Sequence, residues 1–126
     1  MVVTEFRVLE GKVLTKIENI ADEEIVFHCN DGEVYKLHHS QDCCEWVTVE
    51  DISGYLFDLI GSPIVVAEEV IHDQDVNPVG VPEQEWQDSF TWTFYKLDTI
   101  NGGVTIRWYG ESNGYYSESV DFNKIN

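Results

Sequence analysis

The last third of the chain carries the pattern that most restricts its fold. Residues 90–100, FTWTFYKLDTI, alternate aromatic side chains with polar ones, and residues 104–111, VTIRWYGE, place apolar side chains at every second position. Successive side chains of a strand point to opposite faces, and Asn-Gly-Gly at 101–103 suits a tight hairpin turn. We therefore predict two antiparallel strands, followed after the Ser-Asn-Gly turn at 112–114 by a third strand over 115–122.

A second hairpin is predicted nearer the N-terminus. Residues 23–30, EEIVFHCN, alternate in the same way, and residues 33–40, EVYKLHHS, follow as the returning strand. The two segments are joined at Asn-Asp-Gly, residues 30–32, which tolerate the positive φ angles of a tight turn. On the returning strand His39 shares a face with the apolar residues, so we expect His39 to be buried and His38 to point away.

The remaining segments complete the fold class. Residues 12–20 have a mixed pattern that fits either a strand or a short helix, and residues 46–49 are strand-like. Residues 50–60 place apolar side chains at helical spacing, whereas residues 62–71 are rich in β-branched side chains. We predict an α+β domain of mostly antiparallel sheet, with about six to seven strands, hairpins, a C-terminal meander and one short helix near 50–60.

The length of 126 residues is that of one domain, and we expect residues 1–126 to fold as one. Residues 72–89 combine two prolines, a glycine and repeated acidic residues, a composition typical of loops. We predict an exposed acidic loop over this range. It is either a tolerated surface insertion or a functional lid.

The charge of the chain limits its partners. It holds 24 acidic and 7 basic residues, which gives a formal net charge of −17 and a pI near 4.2. Such a field repels nucleic acid and anionic lipid and attracts basic protein surfaces. We therefore expect neither direct nucleic-acid binding nor membrane binding. The acidic surface either only keeps the protein soluble or arranges its carboxylates like the phosphates of nucleic acid.

Three features favour a cytoplasmic location. No segment reaches the ~20 consecutive apolar residues of a membrane-spanning helix, and the N-terminus lacks the basic and apolar regions of a signal peptide. The three cysteines, an odd number, form no evident disulfide framework, which fits a reducing compartment. We expect Cys29 to be a small buried apolar residue.

The segment HHSQDCCE, residues 38–45, concentrates reactive side chains. A cysteine nucleophile needs a base and an orienting carboxylate, so His39, Asp42, Cys43 and Cys44 are candidate catalytic residues. His39 and Cys43 are candidate metal ligands by spacing, although adjacent cysteines are awkward as joint ligands. The third interpretation is a structural corner in which Asp42 caps backbone donors. These three interpretations stay open at this point, and we expect no cofactor.

A second candidate site is the aromatic hairpin, where rings lie beside hydroxyl groups and carboxylates. Such mixtures form recognition surfaces, because rigid aromatic rings lose little entropy on contact, although an aromatic ladder can equally stabilise the hairpin itself. Arg107 can pair with an acidic residue or hold an anionic ligand. The candidate binding residues are Glu45, Arg107, Trp108, Tyr109, Glu111, Asn113, Tyr115, Tyr116 and Glu118.

The segments HSQDCCE (39–45), VEDISGYLFDLIGSPIVVAEE (49–69), WTFYKL (92–97) and VTIRWYGESNGYYSESVDF (104–122) resemble a family of small acidic proteins of tailed bacteriophages, classed as a domain of unknown function. The resemblance covers most of the chain and is looser in the N-terminal hairpin and the acidic loop. It implies expression inside a bacterial cell and no particular activity.

Small acidic phage proteins often resemble inhibitors of host or CRISPR defence machinery, and they act on nucleic-acid-binding surfaces. By this analogy we expect a cytoplasmic binding protein rather than an enzyme. Its partner would be a host protein with a basic surface, and the protein can be a monomer or a dimer. The alternative is a small-ligand-binding or sequestering protein, or a thiol- or metal-dependent enzyme that uses residues 38–45.

Overall fold

The protein consists of two antiparallel sheets of four strands each in the computed structural model, which describes residues 5–73, 76–84 and 88–126. The strands are β1 (Leu14–Ile20), β2 (Glu24–Cys29), β3 (Val34–His38), β4 (Trp46–Ser53), β5 (Val66–His72), β6 (Ser89–Thr99), β7 (Gly102–Ser112) and β8 (Asp121–Lys124). The first sheet has the order β1-β2-β3-β8 and the second the order β4-β7-β6-β5. Two short 3-10 helices, Phe6–Leu9 and Leu56–Leu59, complete the described elements.

One hydrophobic core lies between the two sheets. Phe6, in the first 3-10 helix, inserts between them: its ring centroid lies 4.7 Å from that of Tyr95 on β6 and 5.1 Å from that of Phe122 on β8. Tyr35 on β3 stacks on Phe122 with centroids 5.4 Å apart. Since these rings belong to both sheets, the N-terminal segment fixes the sheets against each other.

The two predicted hairpins are confirmed. Strands β2 and β3 pair in antiparallel register across the turn at 30–32, where Gly32 has a φ of +90°. Strands β6 and β7 pair along their whole length, from Ser89 opposite Ser112 to Thr99 opposite Gly102. The alternation of side chains and the turn residues together determine the register of the paired strands and their antiparallel direction.

The predicted short helix near 50–60 is present only in part. Strand β4 continues to Ser53 and pairs with β7, and only Leu56–Leu59 forms a single 3-10 turn. The register of β4 shifts between Val49 and Asp51. Pairing with β7 keeps Asp51 to Ser53 extended, although the apolar spacing of this segment suits a helix. The fold is thus mostly antiparallel sheet with minimal helix.

The predicted C-terminal meander is wrong in its third strand. The strand at the C-terminus, β8, begins at Asp121 and pairs with β3 of the first sheet rather than with β7. Residues 113–120 carry the chain from one sheet to the other without strand structure. Residues 12–20, which fitted strand or helix, form β1 from Leu14, so the described part contains eight strands.

The second sheet is also covered on its outer face. Trp92 and Tyr109 are almost completely buried there, with ring centroids 4.6 Å apart, and Val81 packs against them. The indole Nε1 of Trp92 donates a hydrogen bond to Asn77 Oδ1 at 3.0 Å. The described part of the predicted acidic loop, 76–84, therefore packs on the sheet, whereas residues 74–75 and 85–87 lie outside the described residues.

Candidate functional site

Glu45 organises the turn between β3 and β4. Its side chain is fully buried, and both carboxylate oxygens accept hydrogen bonds. Oε2 accepts from the amide of Asp42 at 2.9 Å and from His39 Nε2 at 2.8 Å. Oε1 accepts from the amide of Cys43 at 2.9 Å and from Gln41 Nε2 at 3.2 Å. One carboxylate thereby satisfies two backbone amides and two side chains and closes the turn.

His39 joins this turn to the C-terminal segment. Its Nδ1 lies 2.7 Å from the carbonyl oxygen of Ser119, and its Nε2 lies 2.8 Å from Glu45 Oε2. Both ring nitrogens are therefore engaged in hydrogen-bond contacts. The ring is only 5% exposed, so His39 and Glu45 form a buried hydrogen-bonded pair. No ring nitrogen remains for a metal ion or for the activation of a thiol.

The pKa of the Glu45 carboxyl group reflects two opposing effects. Burial alone would raise this pKa, because a low-dielectric environment disfavours the charged form. The hydrogen bonds from His39 and from the amides of Cys43, Glu45 and Asp42 outweigh burial and lower the pKa from 4.5 to about 2. Glu45 is therefore a carboxylate over the whole physiological pH range.

Cys43 and Cys44 lie exposed at the outside of the turn, and their sulfur atoms form a disulfide between adjacent residues. The expectation of a chain without disulfides is wrong at this place, because the tight turn brings the two side chains together. A disulfide sulfur is not a nucleophilic thiolate, and His39 contacts Glu45 instead. Cys29 is buried as predicted, and burial raises the pKa of its thiol.

The other catalytic and metal candidates do not assemble either. Asp42 is exposed, and its backbone amide, rather than its side chain, takes part in the turn. In the part of the chain that the structure describes, no group of three or more His, Cys, Asp and Glu side chains is arranged to hold a metal ion. Of the three interpretations of residues 38–45, the geometry supports the structural corner.

His38, which we expected to point away from the apolar face of β3, is nevertheless buried. His38 is only 7% exposed, and its Nε2 donates a hydrogen bond to Oδ1 of Asn123 at 2.6 Å. Strand β8 places Asn123 beside β3 and so covers the end of that strand. The sequence did not indicate β8 as the neighbour of β3, and the burial of His38 depends on that neighbour.

The candidate residues of the aromatic hairpin do not form one surface. Trp108 is completely buried in the main core and Tyr109 is 1% exposed in the second cluster. Both are interior because β7 is a central strand, with β4 on one side and β6 on the other. Tyr115 is exposed, and its ring packs edge-on against that of Tyr116 at 5.1 Å.

Arg107 has the role of an ion-pair partner. Its Nε donates to Glu50 Oε2 at 2.5 Å, and its Nη2 lies 3.8 Å from Asp51 Oδ2. Its guanidinium also lies 5.7 Å from the ring centroid of Trp92. Of the two roles considered for Arg107, the structure shows the pairing with acidic residues.

The polar candidates of the hairpin shape its tip. Glu118 accepts hydrogen bonds from Thr91 Oγ1 at 2.9 Å and from Ser112 Oγ at 2.5 Å, which holds the crossing segment against the second sheet. Asn113 Oδ1 accepts from the amide of Tyr115 at 3.0 Å within the turn. Glu111 accepts from the hydroxyl of Tyr109 at 2.9 Å.

Four of the five lysines lie on or beside the first sheet, whereas Lys96 and Arg107 lie on the second. The ion pairs of the first sheet are Lys12 with Asp31, Lys12 with Glu33, Lys16 with Glu18, Lys36 with Glu24 and Lys124 with Glu33. The hydrogen bond from Lys12 holds the pKa of Asp31 at about 2, below its ordinary value. The carboxylates of this sheet are thus partly neutralised by neighbouring lysines.

The second sheet carries carboxylates that lack such partners. We call six exposed residues of β5, β6 and the connection between these strands the acidic side: Glu68, Glu69, Asp73, Glu83, Asp88 and Asp98. Within the described residues, none of the six forms an ion pair with a lysine or arginine. Lys96, opposite Glu68 in the strand register, is the one basic residue in 66–99.

Two cavities lie next to each other between the sheets, beneath the crossing segment. The larger, of about 740 Å³, is bordered by β5, by the N-terminal 3-10 helix and by residues 120–122. The smaller, of about 270 Å³, is bordered by β6 and by residues 116–120. Ile71 and Val120 border both cavities. We call the two cavities together the inter-sheet groove.

The residues of this groove were not found from the sequence, apart from Tyr116 and Glu118, which border its smaller cavity. Glu69 and Asp121 carry no local motif, and they meet only because β5 and β8 are the edge strands of two different sheets. The excess of acidic residues over 66–99 was the one signal in the sequence that pointed to this side of the molecule.

Comparison with known proteins gives the family but no activity. The model of a family described as a domain of unknown function, DUF7448, matches residues 7–122. The chain belongs to this family. No curated protein and no solved structure matches it. Among the described residues, no helix has the length and apolar character needed to span a membrane.

Proposed function

We propose that this DUF7448 protein is a non-enzymatic binding protein that associates with a basic surface of another protein through its acidic side. The observation that carries this proposal is the separation of charge between the two sheets. Lysines accompany the carboxylates of the first sheet, whereas the six carboxylates of the acidic side are exposed without a basic partner.

This separation favours a partner over simple solubility. A net charge of −17 spread evenly would keep the protein soluble, but it would not require the lysines to cluster on one sheet. Exposed carboxylates on neighbouring strands add their potentials over about one Debye length, ~8 Å in physiological salt, and attract a complementary surface. The partner of such a surface carries clustered lysine or arginine residues.

The class of partner follows from the charge and from the resemblance. Proteins that handle nucleic acid carry basic surfaces for phosphate, and an acidic protein that occupies such a surface blocks it. The protein would then act as a cytoplasmic inhibitor of a host defence or nucleic-acid-handling protein, as expected for the phage family that it resembles. The enzyme alternative has no support from residues 38–45, where the ring of His39 is already engaged at both nitrogens.

The test is an affinity capture from bacterial lysate at low and at high salt, with the wild type and two variants of equal charge. Glu83→Gln with Asp98→Asn removes two charges from the acidic side, and Glu23→Gln with Asp42→Asn removes two exposed charges elsewhere. We expect the wild type and the second variant to capture a basic protein that DNA or RNA displaces. The first variant should not capture this protein, and high salt should prevent its capture. Equal capture by both variants, with no effect of salt, would contradict the proposal.

A further inference from the structure

The inter-sheet groove combines an acidic end, an apolar middle and a hydroxyl-rich end. Glu69, Glu68 and Asp121 border the larger cavity, and Ile71 and Val120 form the boundary between the two cavities. The smaller cavity is bordered by six hydroxyl-bearing residues and by two acidic residues, Asp73 and Glu118; the former are Ser89, Thr91, Thr93, Tyr116, Ser117 and Ser119. A volume of about 740 Å³ lies within the range of ligand-binding sites.

Glu69 is held in position at the acidic end. The hydroxyl of Tyr95 donates to Glu69 Oε2 at 2.8 Å, and Tyr95 itself is completely buried in the core. Burial, and then the charge of Glu69, raise the pKa of Tyr95, so its hydroxyl stays a donor. The second oxygen of Glu69 remains available to a ligand, because a carboxylate has several acceptor positions.

The charge at this end is one-sided. Glu5, Glu10, Glu68, Glu69 and Asp121 border the cavity together with one basic residue, Arg7, for which no ion pair exists within the described residues. Below them lie the apolar side chains of Phe6, Ala67 and Phe122. A ligand that matches both features carries positive charge and apolar groups in alternation.

We propose that the inter-sheet groove binds an extended peptide segment in which arginine or lysine alternates with apolar side chains. The basic side chains meet the carboxylates of Glu69 and Asp121, and an apolar side chain packs against Ile71. Extended peptides place alternate side chains on opposite faces, which suits a groove with carboxylates at its rim and apolar residues below. This inference rests on the proposed function and names the part of the basic partner that enters the protein.

The test uses two fluorescently labelled peptides of the same length and charge, one of alternating arginine and leucine and one of alternating arginine and serine. Anisotropy titrations measure their affinities for the wild type. We expect the leucine peptide to bind about tenfold more tightly, since burial of one leucine side chain is worth more than a factor of ten when it is complete. Equal affinities would overturn the groove proposal.

Matched variants separate the groove from the general charge. Ile71→Asn lies in the groove and Val79→Asn outside it, and both residues are exposed, so neither change empties the core. We expect Ile71→Asn to remove the preference for leucine and Val79→Asn to keep it. Similarly, Glu69→Gln, which keeps an acceptor for Tyr95, should weaken binding of the leucine peptide more than Glu83→Gln does.

The outcomes distinguish the two proposals. The groove proposal fails if both peptides bind equally, Ile71→Asn behaves like Val79→Asn, and Glu69→Gln behaves like Glu83→Gln. The electrostatic function would stand in that case. If neither peptide binds in low salt, the proposed attraction of basic segments fails as well. Melting temperatures close to that of the wild type confirm that each variant is folded.

Discussion

At the scale of single residues, the surroundings of Glu45 explain a segment whose composition suggests catalysis. The types of group required for thiol chemistry are all present in residues 38–45, but their hydrogen bonds are directed inward. His39 and two backbone amides converge on the Glu45 carboxylate. The histidine and the carboxylate thus hold a turn together, and the two cysteines are exposed outside it.

Glu45→Gln should destabilise the protein and reduce the loss of stability in acid. Both carboxylate oxygens of Glu45 accept hydrogen bonds. The side-chain amide of glutamine has one oxygen and one NH2 group, so the NH2 group would face hydrogen-bond donors of the turn. The pKa of Glu45 is lower in the folded state than its ordinary 4.5. Its contribution to stability is therefore present above that value and is lost as the pH falls through about 2.

Urea unfolding at several pH values measures this effect. The free energy of unfolding of the wild type should fall from about pH 5 downward, and that of Glu45→Gln should be lower at neutral pH and fall less. The same change at exposed Glu83 serves as the control. Parallel curves for the wild type and Glu45→Gln would show that Glu45 does not carry the linkage.

His39→Ala should reduce stability, whereas the double change of Cys43 and Cys44 to serine should leave it almost unchanged. The alanine leaves the buried Glu45 carboxylate without one of its hydrogen-bond donors, and we expect the free energy of unfolding to fall by about 2 kcal/mol. The serines remove a disulfide between adjacent residues, which closes no chain loop, and we expect a change within about 0.5 kcal/mol. A large loss from the serines with none from the alanine would refute the structural corner.

At the scale of secondary-structure elements, the sequence predicted those elements that depend on local patterns alone. The hairpins β2–β3 and β6–β7 were predicted because alternation and turn residues are local signals. The short helix predicted near 50–60 was only partly right, because β4 extends to Ser53 beside β7 and leaves a single 3-10 turn at Leu56–Leu59. The strand β8 was misplaced because its partner, β3, is about 85 positions away, as the hydrogen bond between His38 and Asn123 shows.

The turn between β1 and β2 allows a stabilising change. Ala21 and Asp22 have φ angles of 55° and 58°, in the left-handed region that costs an L-residue about 1 kcal/mol. Asparagine tolerates this region, so Ala21→Asn should raise the free energy of unfolding by about 0.5 kcal/mol. Thermal unfolding measures it, with Ala21→Val as the destabilising control, and a lower melting temperature for the asparagine variant would contradict the turn geometry.

Gly110→Ala should displace the segment that crosses between the sheets. A Cβ atom at this position would lie 2.6 Å from the carbonyl oxygen of Glu118 and 3.2 Å from a methyl carbon of Val47. We expect a loss of about 1–3 kcal/mol, typical of overpacking, with faster proteolysis near residues 113–120. Gly80→Ala adds a methyl group in open space at a φ of +91°, so it strains the backbone without a clash and should leave proteolysis near residues 113–120 unchanged. Unchanged proteolysis in Gly110→Ala would show that the segment does not pack on β7.

At the scale of the whole molecule, the charge was available from the sequence and its arrangement was not. The net charge of −17 predicted a basic partner, but only the structure shows that four of the five lysines lie on or beside the first sheet, with Lys96 on the second. For the same reason the sequence did not reveal the groove, whose walls come from the N-terminal helix, β5 and the start of β8. The candidate residues chosen by local composition, such as Trp108, are instead part of the core.

We propose that the carboxylates of the acidic side drive association with a basic partner. The most direct test of this proposal is the dependence of affinity on salt, measured by calorimetric titration of the captured partner against the wild type and the two variants of equal charge. We predict that Glu83→Gln with Asp98→Asn lowers the affinity and flattens its dependence on salt, whereas Glu23→Gln with Asp42→Asn leaves both close to the wild-type values. The same affinity and the same salt dependence for all three proteins would contradict the account.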